Sequence, residues 1–256
     1  MLNDIVKGWR KSKNKPIRII ALGSSNTDLH WHSFGHFNWV SWLDCALREW
    51  VGRHITMINQ GINGETVKDV LIRIDRDVVS YSPDAVIITI GGYDAMRGIP
   101  VDEYQQDLIK LVKIIQDMGS IPILQTYYCP LYDEIDVESF KLFPEFVEVN
   151  RVLATRENIP IIDHYRYFSP FYDNDPANYK KIMLDGLHVN PIGNSIMGII
   201  SCRLFYLPDP KILDDNHRED VLKYIKMMRN YCELPSRRTR SGREIKDDEP
   251  ISIKAF

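Results

Sequence analysis

The chain has 256 residues, enough to bury one sizeable core, and no Pro- or Gly-rich linker divides it before residue 233. Basic residues (32) and acidic residues (35) nearly cancel to a formal net charge of −3, which excludes a long-range field that would gather nucleic acid or an anionic membrane. The opening MLNDIVKGWRKSKNK puts charges where a secretory apolar region would lie, and no later run is long enough to span a membrane, so the expected compartment is the cytoplasm.

In chain order, β-branched apolar runs at 17–22, 55–59, 85–90, 121–126 and 159–163 read as buried parallel strands. Between and after them, stretches at 38–50, 67–79, 102–118, 143–157 and 191–205 carry apolar residues at spacings of three and four and read as helices. This βαβα alternation requires right-handed crossovers with helices on both faces, hence an α/β fold: a three-layer α/β/α sandwich around a five-stranded parallel sheet. A further helix is expected at 215–231. The segment after it is charged and poor in core formers, so residues 1–232 form a single domain and 233–256 a tail, mobile or loosely docked.

In such a fold, reactive groups collect at the carboxyl ends of the strands. Strand 17–22 runs into Gly23-Ser24-Ser25-Asn26-Thr27, strand 55–59 into Gly61-Ile62-Asn63-Gly64-Glu65-Thr66, and strand 85–90 into Gly91-Gly92-Tyr93-Asp94. A serine hydroxyl attacks a carbonyl only when a base takes its proton and a third group orients that base. Ser25 is the candidate nucleophile, and Asp185-Gly-Leu-His188, before the last sheet-covering helix, offers the acid and base with a spacing that fits one tight turn. Backbone N–H groups of Ser25 and Gly64 are candidate donors to the oxyanion, and the 91–94 turn is the place for a side-chain donor.

The order Gly-x-Ser, Asn-x-Gly-x-x-Gly-x-Thr, Ile-Gly-Gly-x-Asp and Asp-x-x-His resembles the four blocks of the SGNH (GDSL-like) hydrolases, over about residues 17–205. The resemblance implies a flavodoxin-like sheet and a serine hydrolase that cleaves carboxylic esters without cofactor or metal, often acetyl groups on sugars or acyl chains on lipids. It carries over Ser25, Gly64, Asp185 and His188 to the family's functional positions, and puts Tyr93 where the family has an oxyanion-donating asparagine. Ser24 also replaces the family's usual aspartate. The implied partner is a small-molecule or carbohydrate ester with a short acyl group, with no nucleic acid and no membrane span. Tyr93 motivates the rival reading, an impaired SGNH-like protein that keeps the pocket for binding a ligand.

Other features are read more plainly. Cys45, Cys129, Cys202 and Cys232 lack paired spacing and suit free thiols. His30, His32 and His36 lack the further ligands that a metal site needs. Trp31, Phe34, Phe37 and Trp39 could stack on a sugar or an acyl group, or Phe37 and Trp39 could simply open the helix that packs on the sheet. His164, next to Asp163, is a rival base, but neighbours on a strand face opposite ways. A phosphate-cradling motif and the Gly-x-Ser-x-Gly elbow of the α/β-hydrolases are both missing.

Overall fold

The computed structural model describes residues 1–29, 33, 35–136, 138–247 and 249. In chain order the main elements are α1 (Leu2–Lys11), β1 (Ile17–Gly23), α2 (Trp39–Trp50), β2 (Ile55–Gly61), α3 (Val67–Ile72), α4 (Ile74–Asp77), β3 (Ala85–Thr89), α5 (Gly92–Met96), α6 (Val101–Asp117) and β4 (Ile121–Thr126). They continue with α7 (Phe143–Arg156), β5 (Ile161–Asp163), α8 (His164–Asn174), α9 (Pro176–Tyr179), α10 (Pro191–Leu204), α11 (Asp215–Met228) and the short strands β6 (Arg237–Arg238) and β7 (Glu244–Ile245).

The five main strands form one parallel sheet in the order β2-β1-β3-β4-β5. Successive strand residues point to opposite faces, so the sheet divides the core in two. Ile17, Ile19, Ala21, Ala85, Ile87 and Ile123 join the half covered by α1, α2, α8, α10 and α11. Ile20, Leu22, Val86, Ile88 and Leu124 join the half covered by α3, α6 and α7. This is the expected three-layer, flavodoxin-like sandwich. The chain leaves β1 toward β2 on one side and later returns to β3 on the other, so the loops after β1 and β3 part at the sheet's carboxyl edge and leave a crevice.

The differences from the expected elements have local causes. The helix expected at 67–79 breaks at Arg73, whose backbone (φ −102°, ψ 6°) leaves the helical region while its guanidinium turns toward the sheet edge. Strand β5 starts at Ile161, because Ile159 N–H still closes the end of α7 on Ala154 O at 3.0 Å. Helix α1 was not expected, although Leu2, Ile5, Val6 and Trp9 have the spacing of one helical face; Trp9 stacks on Phe205 with centroids 6.2 Å apart. Helix α8 was likewise not expected: Asp163 caps it on Arg166 N–H (3.2 Å), and buried Tyr167, Phe168 and Phe171 hold it despite an internal Pro170.

Past residue 232, β6 and β7 pair as a small hairpin. Asp247 beyond it meets the buried guanidinium of Arg203 in α10 at 2.8 Å, and Asp209 takes the same arginine through two 2.8 Å hydrogen bonds. Leu234 and Ile245 are buried there.

Candidate active site

Ser25 lies one residue beyond a turn that only a bare backbone can make. A Cβ on Gly23 would sit 2.5 Å from Thr27 Oγ1 and 2.6 Å from Thr89 O, and one on Gly61 would sit 2.3 Å from Asp28 N. The ends of β1, β2 and β3 therefore close tightly under the serine loop. That loop turns on itself, with Thr27 N–H and Asp28 N–H both donating to Ser24 O (2.9 and 3.0 Å). Two amides from neighbouring elements fix it from outside: Asn38 and Asn59 each donate Nδ2–H to Thr27 O, at 2.9 and 2.6 Å.

His188 reaches Ser25 from a loop 163 residues further along the chain. Met183 and Val189 bridge in antiparallel fashion and close a tight loop, and Asn190 caps α10 directly after it by accepting from Ile192 and Gly193 N–H. Inside the loop, Asp185 Oδ1 accepts from the N–H groups of Leu187 and His188, both at 2.7 Å. The His188 ring lies with Nδ1 2.9 Å from Asp185 Oδ2 and Nε2 2.9 Å from Ser25 Oγ. Burial alone would raise the Asp185 carboxyl, but the His188 ring and the two backbone donors outweigh it and hold it down to about 2. The carboxylate thus stays charged, and with Nδ1–H pointed at it the imidazole presents a bare Nε2 to the serine.

Gly64 and Tyr93 also come together. Gly64 has φ +77°, a conformation that favours glycine, and a Cβ there would lie 3.7 Å from Tyr93 Cζ and 3.9 Å from its hydroxyl. The Tyr93 ring thus lies over the Gly64 turn, with Arg97 stacked at 4.8 Å from its centroid. Ser25, His188 and Tyr93 line one small cavity of about 40 Å³, with Met96, Phe140 and Phe143 among its other walls. The departure at Ser24 resolves locally: its hydroxyl accepts from Glu65 N–H at 3.2 Å, tying the serine loop to the Gly64 turn.

Several residues around the site carried no assignment in the sequence. Arg73, with its side chain only 5% exposed, donates to Gly23 O (3.3 Å) and Gln60 O (3.0 Å), carbonyls at the ends of β1 and β2, while Glu65 and Asp77 balance its charge. Asp94, fully buried next to Tyr93, accepts from Val67 N–H at 3.0 Å, and burial pushes its carboxyl up to about 6. A lone arginine in a helical stretch gives no pattern that distinguishes it from a surface residue, whereas Asp94 closes the Ile-Gly-Gly-x-Asp block without that block showing that its carboxyl is buried.

His164 is not at the site. It opens α8 instead of ending a strand, its ring is fully buried with Nε2 3.3 Å from Ser201 Oγ, and burial lowers it to about 3. Trp39 is buried at the start of α2, Phe37 packs edge-on against Trp42 at 5.0 Å, and His36 is exposed. His30, Trp31, His32 and Phe34 lie outside the described residues. Cys129 is buried, which raises its thiol to about 12.

Comparison with known proteins agrees with this geometry. An arylesterase of Vibrio mimicus is 28% identical over 156 residues, covering 60% of this chain and 71% of that protein. An acetylxylan esterase of Geobacillus stearothermophilus is 34% identical over a shorter stretch of 90 residues, 31% of this chain and 40% of that one. The crystal structure of an acetylxylan esterase from Geobacillus stearothermophilus shares the fold with a TM-score of 0.64 at 24% identity, over 75% of this chain and 94% of the other. The sequence profile of the GDSL-like lipase/acylhydrolase family matches residues 21–196, the span that holds the strand-end turns and the Asp185–His188 loop. The chain is thus a carboxylic ester hydrolase that belongs to the GDSL-like lipase/acylhydrolase (SGNH) family.

Proposed function

We propose that the chain cleaves short-chain carboxylic esters, acetyl esters of carbohydrates or small alcohols among them, through an acyl-enzyme on Ser25. The observation that carries this reading is the hydrogen-bonded line Ser25 Oγ, His188 Nε2, His188 Nδ1, Asp185, with both contacts at 2.9 Å. In the first half-reaction Ser25 gives its proton to Nε2 as Oγ bonds to the ester carbonyl carbon. The imidazolium that forms is stabilised by Asp185 and returns the proton to the departing alcohol oxygen. In the second half water follows the same path, its proton going to Nε2 and then to Ser25 as the acid leaves.

The oxyanion of each tetrahedral intermediate is held in this reading by the N–H groups of Ser25 and Gly64. Tyr93 forms a wall of the acyl cavity in place of a donating asparagine. A cavity of about 40 Å³ is small beside the roughly 150 Å³ that takes a benzene ring, and suits a short acyl chain. The acetylxylan esterase relative is named for an acetyl ester of a carbohydrate, and the arylesterase relative for aryl esters.

The test is a chain-length series of p-nitrophenyl esters with acetylated xylo-oligosaccharides alongside, run on the native chain and on Ser25→Ala, with fluorophosphonate labelling of both. Turnover that falls as the acyl chain lengthens, and labelling that disappears with Ser25, support the proposal. Absence of labelling in the native chain would leave the pocket as a binding site only.

A further inference from the structure

The segments that carry Ser25 and His188 are 163 residues apart in the chain, and their 2.9 Å contact needs something to set the distance between them. We propose that Tyr128 is that positioning residue: a single phenol oxygen that holds the serine loop and the histidine loop in register. This rests on the reading of Ser25 and His188 as nucleophile and base.

Tyr128 follows β4 at the carboxyl edge of the sheet and is only 1% exposed. Its hydroxyl accepts from Val189 N–H at 3.0 Å and donates to Leu187 O at 2.6 Å, so it grips the residues immediately before and after His188. The same oxygen is hydrogen-bonded to Asn26 Oδ1, on the residue that follows Ser25. Asn26 is anchored in turn by its carbonyl, which accepts from Trp39 Nε1 at 3.0 Å. Among the described residues, Tyr128 is thus bonded at one atom to the chain neighbours of both reacting residues.

A phenol suits this post. It has one hydrogen and two lone pairs, and burial keeps it protonated well above its ordinary range. The hydrogen rests on Leu187 O or Asn26 Oδ1. An Asn26 amide turned about its last bond would instead donate to the free lone pair, leaving Leu187 O with the hydroxyl hydrogen. The ring is wedged against Phe168 at 5.8 Å between centroids, which fixes where the oxygen stands.

Removing that oxygen leaves both loops folded but lets their separation drift, and a misplacement of about 1 Å costs roughly 100-fold in rate. Tyr128→Phe keeps the ring packing. It is expected to lower kcat on p-nitrophenyl acetate roughly 10- to 100-fold, to slow fluorophosphonate labelling of Ser25 in parallel, and to leave KM within about twofold, because the ring that borders the cavity is retained. The folded fraction is followed by near-UV circular dichroism at the assay temperature. Asn26→Ala cuts only the arm to the serine loop and should show the same split between kcat and KM with a smaller loss. In the double variant the losses should not add, because the bridge is already broken.

A folded Tyr128→Phe variant with native kcat overturns the proposal, as do additive losses in the double variant. If Tyr128→Phe fails to fold, an Asn26→Ala variant with native kcat overturns it. Ser25→Ala is measured beside them. If it is inert while the Tyr128 variant is unimpaired, only the Tyr128 assignment fails; if it still turns over, the reading of the site beneath it fails as well.

Discussion

Changing Asp185 to asparagine alters the relay without removing its frame. Oδ1 accepts from two backbone N–H groups at 2.7 Å, so the amide oxygen will keep that place and the NH2 group will fall where Oδ2 stood, 2.9 Å from His188 Nδ1. Nδ1–H then keeps only its 3.0 Å contact with the amide oxygen in the Oδ1 place, while the NH2 group 2.9 Å away favours the other tautomer, with Nδ1 accepting and the ring proton on Nε2. In that tautomer the histidine donates to Ser25 where it had accepted, and the serine loses its base. The expected loss is roughly 10⁴ in kcat, the size seen when such a residue locks the wrong tautomer. At 1.36 kcal/mol per decade this is about 5 kcal/mol of barrier. KM should hold within about threefold, since Asp185 is not among the residues lining the acyl cavity. Asp185→Ala makes a useful partner: it frees Nδ1 to bind water, so its kcat should fall no further than that of the Asn variant, while its melting temperature drops because Leu187 and His188 N–H lose their acceptor. Steady-state kinetics on p-nitrophenyl acetate, with thermal melts of all three proteins, decide the matter. An Asn variant within tenfold of native kcat, or a loss carried by KM, would refute the reasoning.

Three further outcomes are expected. Tyr93→Asn should raise kcat on aryl esters or admit longer acyl chains, while Tyr93→Phe should change little; a large kcat loss in the Phe variant at unchanged KM and stability would show that the hydroxyl serves the transition state. Gly61→Ala must push its new methyl against Asp28 N, where only 2.3 Å is available, so it should cost about 1–3 kcal/mol in urea unfolding and displace the serine loop, with turnover falling at unchanged secondary structure. Burial lowers His164 to about 3 from 6.5, so the unfolded chain binds the extra proton below 6.5 and stability falls as pH drops through that window. Between pH 6.5 and 4.5 this one ring should remove about 2 kcal/mol, and urea titrations of His164→Gln should show a shallower acid limb; an unchanged slope would locate the acid sensitivity elsewhere.

What could be read from the sequence and what could not divide along physical lines. The sheet was legible because buried parallel strands are nearly pure apolar runs, as in Ile17–Gly23, and the helices facing it repeat apolar residues at three and four. The meeting of Ser25 and His188 was legible because each sits in a short pattern at a place where the topology requires loops to meet. Helix α8 was hidden by Pro170 and a run of Asp and Asn, signals that speak for loops; its three buried rings outweigh them only once the sheet is there to receive them. Arg73 was hidden for a different reason. Its role depends on the carbonyls of Gly23 and Gln60, which are 50 and 13 residues away, and no local pattern announces a contact of that separation. The contact of Tyr93 with Gly64 is of the same kind, since it needs two strand-end turns placed side by side.

The division of the core by the sheet bears on how such a site can change. Tyr127, Phe140 and Phe143, which wall the acyl cavity, belong to the half-core under α3, α6 and α7. Tyr128, Val189 and Ile196, which support the histidine loop and the helix after it, belong to the other half. Two adjacent tyrosines therefore face different interiors, and the seam between them is the cleft itself. Tyr128 borders the cavity as well, so a substitution at Tyr127, Phe140 or Phe143 is absorbed by packing in one half, while one at Tyr128 reaches both the cavity and the histidine loop. On the proposed reading, the acyl group accepted can change through the first three positions and not through the fourth.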